Sequence, residues 1–540
     1  MNEFPDAPAG EGSRDSPPSD EQPPQRRLRS SALVAVLSTV LVLAPLAYLW
    51  QTSRVPGAYS VMDMGYLDYG GGPSPAQGIQ HGDSSLGHPS SGHQAGHQAG
   101  HPGATISVVD LTADPARTPD VRVALVARQQ DVEVGGRTIK GYTLNGRTPG
   151  PTITAVQGQL IEVTLTNASV SDGVSLHWHG VDVPNAMDGV AGVTQDAVAV
   201  GATFVYRFVA DQAGTFWYHS HQVSDEQVAG GLLGPLVVLP PSAGSSVDPP
   251  ARGDVVALAH TYNGVRTING RAGDQRVAAR PGERVRVRVI NTDNGPVDVW
   301  ASSSYRVLAV DGSNLRGPTP VRDKSIVVTS GGRADLEIVA PADGSAARLQ
   351  IARATALLVG PAQEAGAGTG PAAQPVDRLD LLSYGSPTPA PFDTRRPDRS
   401  FDYVIGRRPG FVRGRPGLWW SVNGHLYPNV PMYVVREGDV VVMRIHNKSN
   451  DVHPMHLHGH HALVLARNGV PSTGSPWVVD SLNVLKDESY DVAFVADNPG
   501  LWMDHCHNLK HAAEGMVAHL MYEGVDTPYR VGGPGLNRPE

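Results

Sequence analysis

The stretch Gly438-Asp-Val-Val-Val-Met-Arg-Ile-His-Asn447 follows Asn423-Gly424, and the chain has already written the same phrase twice. Asn145-Gly146 precedes Gly158 and a run, 160–165, that closes on Asn167; Asn269-Gly270 precedes Gly282 and a run, 285–290, that closes on Asn291. The second glycine and the closing asparagine are nine residues apart in all three copies. Each copy reads as a turn, a strand rich in β-branched residues, and another turn. Spacing matched three times argues for repeated units rather than turns that recur by chance. The chain is therefore read as all-β, with three related β-sandwich domains at 105–240, 250–358 and 376–525. Pro240-Pro241 and the Gly/Ala/Pro-rich stretch 360–375 are the linkers between them.

Composition agrees. A length of 540 residues leaves room for three or four domains, and 61 glycines with 45 prolines suit many short strands and turns. Charged residues are 18% and the net charge is −9, which excludes a nucleic-acid footprint. One cysteine, Cys506, excludes an internal disulfide framework, and its company of 21 histidines points to metal or redox chemistry.

Before the repeats, residues 1–30 are rich in Pro, Ser and acids and are expected to be a disordered cytoplasmic tail. Arg26, Arg27 and Arg29 then precede an uncharged run, 31–50, long enough to span a bilayer. The arginines keep the tail inside and send the remainder out. A retained anchor is favoured over a cleaved, twin-arginine type signal. The leader is long, and Leu43-Ala44-Pro45-Leu46-Ala47 offers no small-x-small site. No cysteine follows the apolar run, which excludes a lipoprotein anchor. Residues 51–104 read as a flexible tether carrying His81, His88, His93, His97 and His101, a tract also able to collect metal.

Four short motifs carry the chemistry: His177-Trp-His179-Gly180, His219-Ser-His221, His453-Pro-Met-His456-Leu-His458, and His505-Cys506-His507 running on to His511 and Met516. Residues two apart on a strand face the same way, so each His-x-His presents two imidazoles as a clip for a metal. Two clips lie in the first domain and two in the third, which places a shared site between those domains. Imidazole suits copper, zinc and iron alike, so the clips alone leave the metal open. Cys506, between two clip histidines, faces away from their site. With His453, His511 and a weak axial Met516 it describes a blue-copper electron-transfer centre. A structural zinc site would use several cysteines and leave eight further imidazoles unexplained. His260, His425, His446, His460, His461 and His519 stand outside the motifs and are left unassigned.

On these motifs the chain resembles the multicopper oxidases, the family of laccases and bacterial cuprous oxidases, over roughly residues 105–525. The resemblance implies three cupredoxin-like Greek-key domains and four copper ions: one type-1, one type-2 and two type-3. It implies type-1 ligation by His453, Cys506 and His511 with Met516 axial, and type-2 ligation by His177 and His456. The type-3 pair would take His179, His219, His221, His458, His505 and His507. The second domain, without a ligand motif, would be a spacer that sets the geometry.

Dioxygen reduction to water consumes four electrons and four protons, so a proton donor belongs near the rings. Asp188, in Asn185-Ala-Met-Asp188-Gly189, matches an acidic residue that serves this role in bacterial relatives. Many relatives also carry Glu directly after the type-1 histidine. Here that position is Ala512, and the nearest acid, Glu514, is the substitute candidate. The expected activity is oxidation of a small reducing substrate, Cu(I) or a phenol or aromatic amine, with O2 as acceptor. The alternative is a non-catalytic, exported copper-binding protein. Three domains in one chain can build the whole cluster internally, so a monomer is expected.

Overall fold

The computed structural model describes residues 25–73, 106–241, 253–362, 373–412 and 414–540. Residues 1–24 of the expected tail and the histidines from His81 to His101 lie outside the described residues. A helix covers Gln25–Gln51 and forms a compact unit apart from Thr52–Glu540. It begins inside the segment expected to be disordered, because Arg and Leu are good helix formers that extend the apolar run backward. Its stretch Ala32–Gln51, 20 residues with mean hydropathy 2.4, is long and apolar enough to cross a membrane.

The remaining chain builds three β-sandwiches, and the repeated phrase occupies the same place in each. The repeat strands are Leu160–Asn167, Arg284–Asn291 and Val440–Asn447. Each lies parallel to an earlier strand and antiparallel to a later one: Leu160–Asn167 between Val121–Val134 and Thr203–Val209, Arg284–Asn291 between Asp254–Tyr262 and Arg333–Val339, Val440–Asn447 between Arg399–Val412 and Ser489–Val495. The physical reason for the conserved spacing is visible at both ends. Asn145, Asn269 and Asn423 adopt positive φ (51–55°) ahead of a glycine, closing hairpins of the type that needs left-handed residues. Their amides also bond the preceding strand: Asn145 accepts from Val126 N–H, Asn269 from Leu258 N–H, and Asn423 from Val404 N–H. The closing asparagines are fully buried and donate to carbonyls of neighbouring segments, at Val198, Val328 and Val484 respectively. A buried carbonyl without a donor would be costly, so that position is tightly specified.

Alternation along the repeat strand turns Ile161, Val163 and Leu165 into the first sandwich's core, where Trp178, Phe208 and Leu236 meet them. The cores of the second and third sandwiches are continuous with each other. A small cluster joins all three: Trp217, Val228 and Leu233 from the first, Leu258 and Ile290 from the second, and Leu509 from the third.

Two segments depart from expectation. Within the stretch read as a tether, Tyr66–Asp68 adds a parallel edge strand to Pro431–Val435, and Ala58–Tyr59 pairs with Val531–Gly532. Tyr59, Val61 and Met64 are buried there, an apolar spacing hidden by the glycines and prolines around it. The chain beyond 525 is also built in. Val525–Asp526 pairs with Ile106–Ser107, and the last residues return to the first sandwich, where Arg538 N–H donates to Gln222 Oε1 at 2.8 Å.

Candidate metal centres

Strand pairing explains why the clips work. His177–His179 lies antiparallel to Gly214–His219, with His177 opposite His219 and His179 opposite Trp217. Trp178, on the other face, goes into the apolar core with Phe208 and Tyr206, 4.7 and 5.4 Å away between ring centroids. In the third sandwich His453–Leu457 lies antiparallel to Leu501–Cys506, with His456 opposite His505 and Met455 opposite Cys506. The two pairs of strands bring eight rings together. His177 stacks on His458 and His179 on His456, both at 3.8 Å between centroids.

Each ring is held by one nitrogen. His177 Nδ1 lies 2.9 Å from the Asp188 carbonyl, His219 Nδ1 3.0 Å from that of Ser220, His221 Nδ1 3.0 Å from that of Pro539, and His456 Nδ1 2.8 Å from that of Asp480. His458 Nδ1 lies 3.0 Å from Asp188 Oδ2, and His507 Nδ1 3.3 Å from Ser330 Oγ. His505 Nδ1 is 3.2 Å from the Cys506 carbonyl and 3.3 Å from Glu540 Oε1. His179 is turned the other way: its Nε2 faces Asp480 Oδ1 at 3.1 Å and Ser481 Oγ at 3.0 Å. Burial, with neighbouring imidazoles adding to it, holds His179, His219, His456, His458 and His505 well below the usual imidazole range, and brings His221 and His507 down to about 3.

Neutral rings with one nitrogen held have a lone pair on the other, which is what a metal requires. Four of these lone pairs, His179 Nδ1, His219 Nε2, His221 Nε2 and His507 Nε2, are buried without any hydrogen-bond partner. Others face each other, His177 Nε2 and His456 Nε2 at 3.4 Å, His458 Nε2 and His505 Nε2 at 3.2 Å. Buried polar atoms left this way are costly unless a cation satisfies them, so the residues fit a bound metal cluster.

Cys506 stands on the opposite face of its strand and is fully buried. Its Sγ lies 3.6 Å from His453 Nδ1 and 3.7 Å from His511 Nδ1, and those two nitrogens are 3.3 Å apart. Burial pushes the thiol up, whereas it brings His453 to about 3 and His511 to about 4. Met516 is buried too, and its carbonyl accepts the Cys506 N–H at 3.1 Å. Trp420 from the strand Arg415–Val422 covers this group, 4.4 Å from the His511 ring and 4.7 Å from His453. The Arg407 guanidinium lies over Trp420 at 3.9 Å.

All ten motif histidines and Cys506 thus fall into two back-to-back groups. Asp188 is 1% exposed and reaches two rings, with Oδ1 3.0 Å from His177 Nδ1 as well as Oδ2 on His458. Glu514 does not join the rings. Its carboxylate accepts from Trp420 Nε1 at 2.9 Å, and among the described residues no ion pair links it to the eight imidazoles. The one-turn helix Leu509–Ala513 carries it away on the Cys506 side. Besides Asp188, the carboxylates of Asp480 and Glu540 reach rings; they have no motif around them, and no signal in the sequence marks them. The unassigned His460 bonds Tyr522 at 2.7 Å, and His461, despite its burial, is lifted to about 9 by Asp182 beside it.

The second sandwich is more than a spacer. Ser330 Oγ donates to the His507 carbonyl at 2.9 Å, and the Gly331 carbonyl accepts from Trp217 Nε1 at 2.9 Å.

Comparison with known proteins points to one family. Two family models, each described as multicopper oxidase, match residues 126–243 and 400–524. The multicopper oxidase MmcO of Mycobacterium tuberculosis is 28% identical over 460 residues, covering 74% of this chain and 87% of its own length. Laccase-1 of Botryotinia fuckeliana is 28% identical over 468 residues, covering 74% and 81%. A multi-copper oxidase of Pseudomonas thermotolerans has a solved structure that superposes with a TM-score of 0.60 at 27% identity, over 74% of this chain and 98% of that one.

Proposed function

The chain belongs to the multicopper oxidases, and on that premise we propose how its rings and its one thiol divide the metal. It is a copper-dependent oxidase that couples oxidation of a reducing substrate to reduction of O2 to water. In the proposed assignment four copper ions serve one chain, and the three domains span 105–240, 250–358 and 376–525, the middle one without copper. His453, Cys506 and His511 would hold the type-1 ion, with the buried Met516 as the candidate thioether beside them. His177 and His456 hold the type-2 ion. His179, His219 and His507 hold one type-3 ion, and His221, His458 and His505 hold the other. The observation that carries this assignment is the set of buried imidazole nitrogens without partners, set back to back with a cysteine flanked by two further rings.

Copper bound at the thiolate supplies one-electron exchange, and copper bound at the rings supplies the four-electron reduction of dioxygen. The residues do the rest. His511, half-buried where His453 and Cys506 are not, is the ring of this group nearest solvent and marks where the donor, Cu(I) or a phenol or aromatic amine, would approach. Trp420 and Arg407 cover that ring and exclude water from the thiol. The covalent run His505-Cys506-His507 joins the two groups through bonds. Asp188, whose carboxylate accepts from His458 Nδ1, is the acidic side chain placed beside the rings to relay protons toward oxygen being reduced there. The apolar helix anchors the chain, with the catalytic part outside the cytoplasm and Arg26, Arg27 and Arg29 inside. The working unit is a monomer.

Visible and EPR spectra of the copper-loaded protein beside Cys506→Ser test the assignment. The protein is expected to be intensely blue, and the variant is expected to lose the blue absorption while keeping the type-2 signal. Blue absorption that persists in the variant contradicts the type-1 ligand set.

A further inference from the structure

We infer that Arg333, reaching the rings from the second sandwich, decides which nitrogen His179 turns toward the metal, by holding Asp480 against the opposite edge of that ring. The inference rests on the copper assignment above and gives Arg333 a positioning role.

Seven of the eight rings are held at Nδ1 and leave Nε2 to face inward; His179 alone is reversed. Two groups meet the reversed edge: Ser481 Oγ, 3.0 Å from Nε2 and itself donating to Asp480 Oδ1, and the Asp480 carboxylate. Asp480 places Oδ1 3.1 Å from His179 Nε2, and the same carboxylate is gripped by Arg333 through two bonds, Nη1 to Oδ1 and Nη2 to Oδ2, each 2.6 Å. Such a two-pronged pair fixes both the plane of the carboxylate and its direction. An oxygen held this way accepts, so His179 Nε2 carries the hydrogen and Nδ1 keeps its lone pair; that Nδ1 is buried and has no other partner. Because metal-bound histidines are oriented through their second nitrogen, the guanidinium acts on the metal side of the ring without touching it.

The same carboxylate residue also reaches the other half of the cluster, since the Asp480 carbonyl accepts from His456 Nδ1 at 2.8 Å. His456 and His179 stack within 9° of parallel, so one anchored residue sets two adjacent rings that the assignment gives to different coppers. Arg333 is itself fully buried and tied to all three sandwiches. Its own N–H donates to Asp311 Oδ1 in the second, its Nε to the Thr215 carbonyl in the first, and its two prongs meet Asp480 in the third. The ion pair also explains the glycine that ends His177-Trp-His-Gly180. A Cβ at Gly180, where φ is +82°, would collide with Arg333 Nη2 and stand 2.6 Å from Asp480 Oδ2. A sandwich that holds no copper thus places one charged side chain behind two of the ligands.

The test uses the full chain loaded with copper, in four forms: unchanged, Arg333→Gln, Arg333→Lys and Asp480→Asn. Copper per chain, the visible spectrum, the type-2 EPR signal and copper retention against a chelator of known affinity are read for each. The unchanged protein checks the assignment itself: copper at the thiol but none at the rings overturns that reading, whatever the variants do. Given four coppers there, Arg333→Gln is expected to keep the blue absorption and to hold ring-cluster copper roughly ten- to a hundredfold less tightly, with an altered type-2 signal. Arg333→Lys, a cation without the fork, is expected to fall between the two. If Arg333→Gln fails to fold, Asp480→Asn carries the test. Its amide matches the carboxylate in shape but offers a donor to His179 Nε2, and it is expected to lose ring-cluster copper while staying blue. Retention and type-2 signal within twofold of the unchanged protein in both Arg333→Gln and Asp480→Asn overturn the inference.

Discussion

On one face of the strand Leu501–Cys506, His456, His458 and His505 are at most 1% exposed, and every ring of the cluster has its second nitrogen held by a carbonyl, a hydroxyl or a carboxylate. On the other face, Cys506 looks out at His511, which is only half-buried and lies beneath Trp420 and Arg407 from a neighbouring hairpin. One residue along the chain separates a sealed chamber from a covered window. The sealed side suits chemistry in which water must be excluded and protons delivered at fixed atoms. The covered side suits exchange of electrons with molecules that never enter. The difference shows that a single strand, by alternating its faces, keeps the two tasks apart while joining them through one backbone.

Substitutions at the junction, on the sealed side and on the covered side break the contrast in decreasing order of severity. Cys506→Ser removes the junction, and oxygen consumption is expected to fall below detection while ring-cluster copper stays bound, as measured with an oxygen electrode and metal analysis. On the sealed side, Asp188→Asn keeps the shape of the side chain and removes its acid, and turnover is expected to drop roughly 10²- to 10³-fold at unchanged blue absorption. Glu540→Gln, which alters the contact to His505 Nδ1, is expected to cost on the order of tenfold in turnover or ring-copper affinity. On the covered side, Trp420→Leu removes an aromatic contact worth roughly 0.5–1.5 kcal/mol and is expected to change KM for the donor and the position of the blue band, leaving the type-2 EPR signal alone. Glu514→Gln should do least. Its carboxylate bonds Trp420 Nε1 and, among the described residues, pairs with none of the rings, so proton-dependent turnover is expected to stay within about twofold; a drop as large as that of Asp188→Asn restores Glu514 as a proton carrier.

The sequence spoke clearly wherever function is written at short range. Asn-Gly at a hairpin, glycine and asparagine bracketing a strand, and His-x-His on one face are local rules, and the strands Leu160–Asn167, Arg284–Asn291 and Val440–Asn447 obey them. The rings themselves were legible for the same reason. Their supports were not. Asp480 meets Arg333 across 147 positions and His179 across 301, and neither residue sits in a pattern that a strand or turn demands. Glu540 reaches His505 from a tail that follows the last sandwich, and the buried segment around Tyr59 was masked by the glycines, prolines and serines that surround it. Glu514 misled in the opposite sense: nearness in sequence to His511 suggested nearness to the rings, but the turn of helix after His507 places it on the other face.

The central claim is that one cysteine stands between two separate copper stations. Anomalous scattering at the copper edge from crystals of the loaded protein tests it most directly. Four peaks are expected, three enclosed by the eight rings and one bounded by Cys506, His453 and His511. A lone peak beside Cys506, with the space among the rings empty at full loading, contradicts it.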